Sequence, residues 1–160
     1  MNLRELLEKL DQHKEWLDTH RGNRVEIVNE TIKDVEFNNV ADFRCIKFVN
    51  CKFENCKFKG CSFMGAIFEN CFIDKSEFIE CTFSYGDLSN SKIHNSNLEE
   101  SIFNSTYVYN TDLSDSNLSR TYFRNVNLEY MTFDKNALIT STIINDIKEG
   151  DLKWDIQIQN

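Results

Sequence analysis

The sequence predicts an all-β solenoid of stacked four-sided coils with an α-helix at its start. The first observation behind this prediction is a large apolar residue at every fifth position from Phe43 to Ile143, without a gap. The second is a mostly small residue two positions before each of them, from Ala41 to Ser141. None of these positions is charged, although 28% of the 160 residues are. The third observation is the absence of proline beside only five glycines, which indicates few irregular loops.

The number of sides follows from the period. A repeat at every fifth position fits neither an α-helix nor a flat strand, and requires a short extended step followed by a corner. Four such steps close a square and return the chain above itself, and positions 43, 63, 83, 103 and 123 are all Phe. We therefore expect one column of Phe rings, with consecutive coils about 4.8 Å apart.

The regular run has an imperfect lead-in. The pattern begins at Ile27, Ile32 and Phe37, and a one-residue slip at Val40 separates these from the main series. Glu30 is the only charged residue in the small-residue series. With this first coil, the sequence predicts about six coils in all.

The repeat unit resembles that of the pentapeptide-repeat proteins. It has the form small–x–Leu/Phe–x–x at 51–55, 56–60 and 116–120, and the resemblance covers 25–145. The resemblance implies a right-handed quadrilateral β-helix. Phe replaces the commoner Leu at the centre, and Cys replaces Ala in the N-terminal half, changes that preserve apolar volume.

The N-terminal segment, 1–24, is predicted to cap the open end of the rod. Leucine residues at helical spacing, with Asn2 as N-cap, Glu5 three residues later and Gly22 as a stop, indicate an amphipathic helix. Its role is either a lid over the first coil or a partner-binding helix. The repeat domain is assigned to 25–145.

The C-terminal segment, 146–160, departs from the five-residue rule. Trp154, Ile156 and Ile158 alternate with polar residues, as in a strand. The segment either folds over the last coil or pairs with its copy in a homodimer. The family resemblance supports the second alternative, since some pentapeptide-repeat proteins dimerise through this segment.

Chemistry-bearing residues favour structural roles. Cys51 should stack under Cys71 and Cys61 under Cys81, as buried small residues without zinc-ligand spacing. His94 shares an outward column with Asp74 and Ser114, but a flat face offers no oxyanion hole. We therefore expect no enzyme activity, cofactor or metal.

The outward residues define two candidate surfaces. One is an acidic face formed by Glu77, Glu80, Glu99 and Glu100. The other is an aromatic cluster formed by Ile102, Tyr107, Tyr109, Tyr122 and Tyr130, with Tyr85 below. Exposed tyrosines are typical of binding surfaces, but Tyr is also a good strand former, so both interpretations stay open.

The function predicted is a non-catalytic protein-interaction module, a rigid rod docking on a protein partner. The alternative, from the resemblance, is a DNA mimic that binds a type II topoisomerase and gives quinolone resistance or toxin protection. The net charge of −8 suits a mimic, but residues 41–145 carry 13 acids and 10 bases, a net of −3. The acidic total disfavours direct nucleic-acid binding. The absence of long apolar runs disfavours membrane insertion, and a cytoplasmic location is expected.

Overall fold

A helix precedes a parallel β-solenoid with four faces, which confirms the predicted fold class, and the solenoid has about five turns where about six were predicted. The computed structural model describes residues 1–38, 41–128 and 130–133, together with the backbone of 143–145. The helix is α1 (Leu3–Thr19). The strands are β1 (Glu26–Val28), β2 (Thr31–Lys33), β3 (Glu36–Asn38), β4 (Lys47–Val49), β5 (Lys52–Glu54), β6 (Lys57–Lys59), β7 (Ile67–Glu69), β8 (Phe72–Asp74), β9 (Glu77–Ile79), β10 (Lys92–His94), β11 (Ile102–Asn104), β12 (Tyr122–Arg124) and β13 (Ile143–Asn145).

Each face is a parallel ladder of short steps whose middle side chain points into the core. Face I contains β1, β4 and β7; face II contains β2, β5, β8 and β10; face III contains β3, β6 and β9; and face IV contains β11, β12 and β13. Isolated bridges extend the ladders beyond their strands, as at Ile67, Asp87 and Tyr107 on face I. The burial pattern within a strand is outward, inward, outward, which explains why only every fifth residue must be large and apolar.

The register confirms one predicted slip and corrects the end of the series. Within the main run each central residue pairs with the one four repeat units later, as in Phe53 beside Ile73. In the lead-in the pairing is shifted by one further position, with Ile27 beside Phe48, as the slip at Val40 predicts. At the other end Phe123 pairs with Ile144, so the assignment of Ile143 to the central position is wrong by one position. Since positions 143 and 144 are both Ile, the apolar pattern could not distinguish the two registers.

The corners repeat one backbone conformation. Every fifth residue from Cys45 to Tyr130 has φ between 49° and 69°, in the left-handed region. Asparagine suits this region and fills several corners, and Asn110 donates a 3.0 Å hydrogen bond to Asn90 one coil below. Glycine fills two more corners, at Gly60 and Gly65.

The core consists of stacked rings and a column of small residues on each face. Phe83 lies parallel to Phe63 and Phe103 at centroid distances of 5.2 and 5.0 Å. Buried hydroxyl groups in the small positions are paired: Ser91 Oγ accepts from Cys71 N at 3.0 Å and donates to Phe68 O at 2.6 Å. Ser91 therefore satisfies its hydroxyl group with backbone groups of the coil below.

The helix is capped at its start as predicted and ends earlier than predicted. Asn2 and Glu5 form a reciprocal capping box, which confirms the N-cap. The C-cap is His20 at φ 55°, so the assignment of Gly22 as the stop is wrong. A side-chain hydrogen bond from Thr19 to Glu15 O accompanies this earlier end. Among the residues that the structure describes, no helix is long and apolar enough to cross a bilayer.

Contacts between helix and solenoid use few side chains. Leu6 is fully buried in the core, whereas Leu3 and Leu7 remain exposed, so only part of the predicted apolar stripe faces the first coil. The amino group of Met1 lies 3.3 Å from Glu30 and donates to Thr31 O at 2.7 Å. This contact explains the single charge in the small-residue series.

Candidate functional site

The aromatic cluster predicted from the sequence occupies two adjoining faces of the upper coils. On face I, Tyr107 and Tyr109 flank the inward Val108, and Tyr130 stands on the following corner one coil above. The rings of Tyr109 and Tyr130 meet edge to face, with centroids 5.3 Å apart. The exposed fractions of Tyr107, Tyr109 and Tyr130 are 68%, 48% and 62%.

The second part of the cluster lies on face IV. Ile102 is exposed and pairs in register with Tyr122, which is half-buried. The corner that separates the two parts holds Ser105 and Asn125, joined by a 3.0 Å hydrogen bond, and Tyr85 stands one coil below Ser105. Exposed large side chains therefore surround a short neutral corner. We call Ile102, Tyr107, Tyr109, Tyr122 and Tyr130 the aromatic patch.

The four glutamates of the predicted acidic face lie on face III and its following corner, and each contacts a cation. Glu77 lies 3.5 Å from Lys57, and Glu80 lies 3.5 Å from Lys59. Arg120 contacts both Glu99 and Glu100, at 2.7 Å from the latter. These pairs join consecutive coils, so the carboxylates are largely neutralised by the chain's own cations.

The same pairing extends to the lower coils of face I. Lys47 lies 3.1 Å from Glu26 and 3.0 Å from Glu69, so one cation links three consecutive coils. The hydrogen bonds that Lys47 donates to Glu69 and Glu26 raise its pKa. Exposed ion pairs contribute little to stability, but they leave a surface without a strong field of one sign.

Asp74, His94 and Ser114 share one column, as the sequence predicts, but the close contact of His94 is with Asp112. His94 Nε2 lies 2.8 Å from Asp112 Oδ2, and the Ser114 hydroxyl donates to Asp112 Oδ1 at 2.6 Å. Asp74 instead accepts from Asn95 at 2.9 Å. Ser114 and His94 both contact the Asp112 carboxylate. In a catalytic triad the histidine would instead lie between the carboxylate and the serine and accept the serine proton.

Asp112 is the charged centre of this group. Burial alone would raise its pKa, but the hydrogen bonds from Ser114 and the close approach of the His94 imidazole outweigh it and lower the pKa of Asp112 to about 2. The His94 ring also meets Phe72 edge to face at 5.9 Å, and Lys52 Nζ lies 5.6 Å from the centroid of Phe72. These contacts fix the imidazole against face II.

The cysteines of the small positions are buried and free. Cys51, Cys56, Cys61, Cys71 and Cys81 are each at most 2% exposed, as expected for small core residues. Cys45 occupies a corner and is half-buried. Over the described part of the chain, no group of three or more His, Cys, Asp or Glu side chains could hold a metal ion.

A groove between the helix and the first coils was not apparent in the sequence. Its volume is about 460 Å³, with Leu7, Leu10 and Phe37 on its walls. At its rim Arg44 binds Asp42 through hydrogen bonds of 2.9 and 2.7 Å. Burial works to raise the pKa of Asp42, but the Arg44 contacts lower it. No local motif signals this groove, because it joins the helix to segments that lie far from it in the sequence.

The predicted dimer contacts, Trp154, Ile156 and Ile158, lie outside the described residues, as does the whole segment 146–160.

The fold and the repeated unit define a class: a parallel β-solenoid built from five-residue steps. The sequence model for pentapeptide repeats, eight copies long, matches residues 46–85, 61–99, 87–120 and 101–135. The chain therefore belongs to the pentapeptide-repeat family. A search among curated proteins finds no match.

Several solved structures are similar to this chain. Rfr23 from the cyanobacterium Cyanothece 51142 is 15% identical, with a TM-score of 0.68 over 81% of this chain and 98% of that one. Full-length QnrB1, a plasmid-mediated fluoroquinolone resistance protein, is 14% identical, with a TM-score of 0.48 over 78% and 92% of the two chains. A protein of the Arabidopsis thaliana thylakoid lumen is 18% identical, with a TM-score of 0.39 over 69% of each chain. At 15% identity, the similarity to Rfr23 shows a shared fold.

Proposed function

We propose that this protein is a non-catalytic interaction module, a rigid rod that docks on a protein partner through the aromatic patch. In this proposal residues 25–145 form the rod, 1–24 cap it, and 146–160 form a second cap or a dimerisation segment. The observation that carries the proposal is the exposure of Tyr107, Tyr109 and Tyr130 beside Ile102 on adjoining faces.

The chemistry of the patch supports a protein partner. Tyrosine offers a large apolar ring and a hydroxyl group at a small entropic loss, and it is enriched at the energetic centre of interfaces. Tyr109 and Tyr130 support each other at 5.3 Å, so part of the patch is held in place before binding. A rigid backbone ladder beneath the patch lowers the entropy lost on docking.

The distribution of charge around the aromatic patch also indicates which kind of partner surface would fit it. The glutamates of face III and of the lower coils are engaged by Lys and Arg of neighbouring coils, as in the Lys47 and Arg120 contacts. The patch itself is uncharged. The partner surface that fits it is apolar and neutral at its centre, with hydrogen-bonding groups for the tyrosine hydroxyls.

The test is a pair of substitutions that imitate neighbouring coils. Tyr107→Asn reproduces Asn127 in the same column, and Tyr109→Ser reproduces Ser89, so the double variant keeps the fold. Affinity capture from the native host identifies a partner, and direct binding is then measured with the purified partner. We expect the double variant to bind at least about tenfold more weakly.

The matched control is Met64→Ser. It also removes an exposed apolar side chain, on face IV below the patch, and Ser84 already fills that position one coil above. The control should bind like the wild type. Equal affinity of the wild type and the double tyrosine variant would reject docking through the patch.

The alternative function is binding of a type II topoisomerase by a DNA mimic. The net charge of −8 favours it, but a mimic needs rows of unpaired carboxylates, and the contacts of Glu77, Glu80 and Arg120 work against that requirement. A gyrase supercoiling assay decides it. If the assay shows no inhibition and no protection at micromolar protein, this alternative is rejected.

A further inference from the structure

Four of the core cysteines form two vertical pairs. Cys51 and Cys71 precede β5 and β8, which pair in register as Lys52 beside Phe72. Cys61 and Cys81 are related in the same way through the bridge from Ser62 to Thr82. The other core cysteine, Cys56, has Ser76 above it, whose hydroxyl accepts from Cys56 N at 3.1 Å.

The two cysteines of each pair occupy the same small-residue position on consecutive coils, one above the other. In-register parallel neighbours place their Cα atoms about 4.8 Å apart, inside the range of about 4.4–6.8 Å found across disulfides. All four side chains are at most 2% exposed, so their sulfurs are held in one dry column on each of two faces.

We propose that Cys51–Cys71 and Cys61–Cys81 are two oxidation sites, at which a two-electron oxidant of the diazene class, such as diamide, closes a disulfide between consecutive coils. The thiolate of one cysteine adds to the N=N bond, and the second thiol attacks that sulfur. An S–S bond forms and the S–N bond breaks. Both thiol hydrogens and two electrons pass to the oxidant, which leaves as the hydrazine.

Burial sets the conditions for this reaction. The neighbouring sulfur and desolvation raise the pKa of Cys71 and of Cys81, so these thiols hold their protons. In the closed coil the thiols donate to backbone carbonyl groups, as Cys51 Sγ does to Ile27 O at 3.2 Å and Cys71 Sγ to Phe48 O at 3.5 Å. The reagent therefore reaches the sulfurs when the coil opens locally.

The experiment uses the full chain with two substitutions that remove the other thiols. Cys45→Ser reproduces Ser105 in the same corner column, and Cys56→Ser reproduces Ser76, so both changes are already tolerated by the fold. The protein is treated with diamide at neutral pH, both in buffer and in denaturant below its unfolding transition. Mass spectrometry then measures the hydrogens lost and the peptides that are linked.

The expected result is the loss of four hydrogens, with links only between 51 and 71 and between 61 and 81. Cys71→Ser, which reproduces Ser91 one coil above, should reduce the loss to two hydrogens and leave the 61–81 link. The fully denatured chain should give mixed pairings. No loss of hydrogens in either folded condition, or the same mixed pairings as in the denatured chain, would overturn the proposal.

Discussion

The His13 imidazole joins the helix to the solenoid through a 2.6 Å contact between its Nε2 and the carbonyl oxygen of Arg44. Val25 N donates to Nδ1 at 3.3 Å, so Nδ1 accepts and Nε2 carries the hydrogen. The ring is fully buried and stacks on Trp16 at 5.4 Å. This one side chain therefore satisfies two backbone groups from separate stretches of the lowest part of the solenoid.

Replacement of His13 by alanine should therefore destabilise the protein strongly. His13→Ala removes a fully buried side chain and the partner of two half-buried backbone groups, the Val25 amide and the Arg44 carbonyl, and we expect a loss of about 2–4 kcal/mol in the free energy of unfolding. Urea titration followed by circular dichroism measures it. Lys14→Ala, at the exposed next position, is the control and should change stability by less than about 0.5 kcal/mol. Equal losses would mean that the helix contact, rather than the imidazole, sets the stability.

The five-residue register predicts opposite outcomes for two neighbouring residues. Phe83 is 1% exposed between Phe63 and Phe103, so Phe83→Asp places a charge in a dry core and should unfold the rod, at about 4 kcal/mol or more. Thr82→Asp points outward, in the column that already holds Asp42, and should cost less than about 1 kcal/mol. Thermal unfolding measures both variants. Similar losses would contradict the register.

The central parts of the fold could be predicted because one pattern repeats. Phe43 to Phe123 carry a signal of apolar volume that no other period explains, and the stacked column at 4.7–5.2 Å follows from it. The left-handed backbone conformation of the corners was harder to predict from the sequence. Tyr85 and Tyr130 adopt φ of 60° and 58°, a region that asparagine or glycine favours. Ladder bonds such as Tyr85 N to Asn104 O, at 2.9 Å, outweigh the local preference.

The sequence could predict where the charged residues lie on the rod, but not which ion pairs they form. The sequence places Glu77, Glu99 and Glu100 on one side of the rod, and the structure agrees in location. Whether such charges are free depends on the rotamers of long side chains one coil away, as with Arg120. The same limit explains His94, whose contact with Asp112 runs diagonally across the ladder rather than along its column.

The pKa of Asp112 makes a prediction about acid stability. Its folded value of about 2 lies below the ordinary 3.8, so the carboxylate stabilises the fold above pH 3.8 and this contribution is lost as the pH falls through about 2. Asp112→Asn removes the dependence. The difference in unfolding free energy between wild type and variant should be largest above pH 3.8 and shrink towards pH 2.

Ser114→Ala is the second arm of that test. It removes the hydroxyl that donates to Asp112 at 2.6 Å, so the folded pKa should rise towards 3.8 and the pH-dependent part should become smaller. Urea denaturation at a series of pH values gives the curves. Identical slopes for the wild type and both variants would show that Asp112 does not govern acid stability.

Gly86 tests how tightly the coils pack. Replacement of glycine by alanine usually stabilises a protein by about 0.4–1 kcal/mol, because the unfolded chain loses freedom. At Gly86 a Cβ atom would lie 2.8 Å from the carbonyl oxygens of both Ala66 and Phe83, and these backbone atoms are held by the ladder. The cost of overpacking should therefore exceed this gain, and Gly86→Ala should lower the free energy of unfolding by about 1–3 kcal/mol.

The comparison variant is Ala66→Gly, which removes a methyl group at the same position one coil below. It should lower the free energy of unfolding by about 1 kcal/mol, because the unfolded chain gains backbone freedom. Calorimetry compares the two, and a Gly86→Ala protein as stable as the wild type would mean that the coils can move apart.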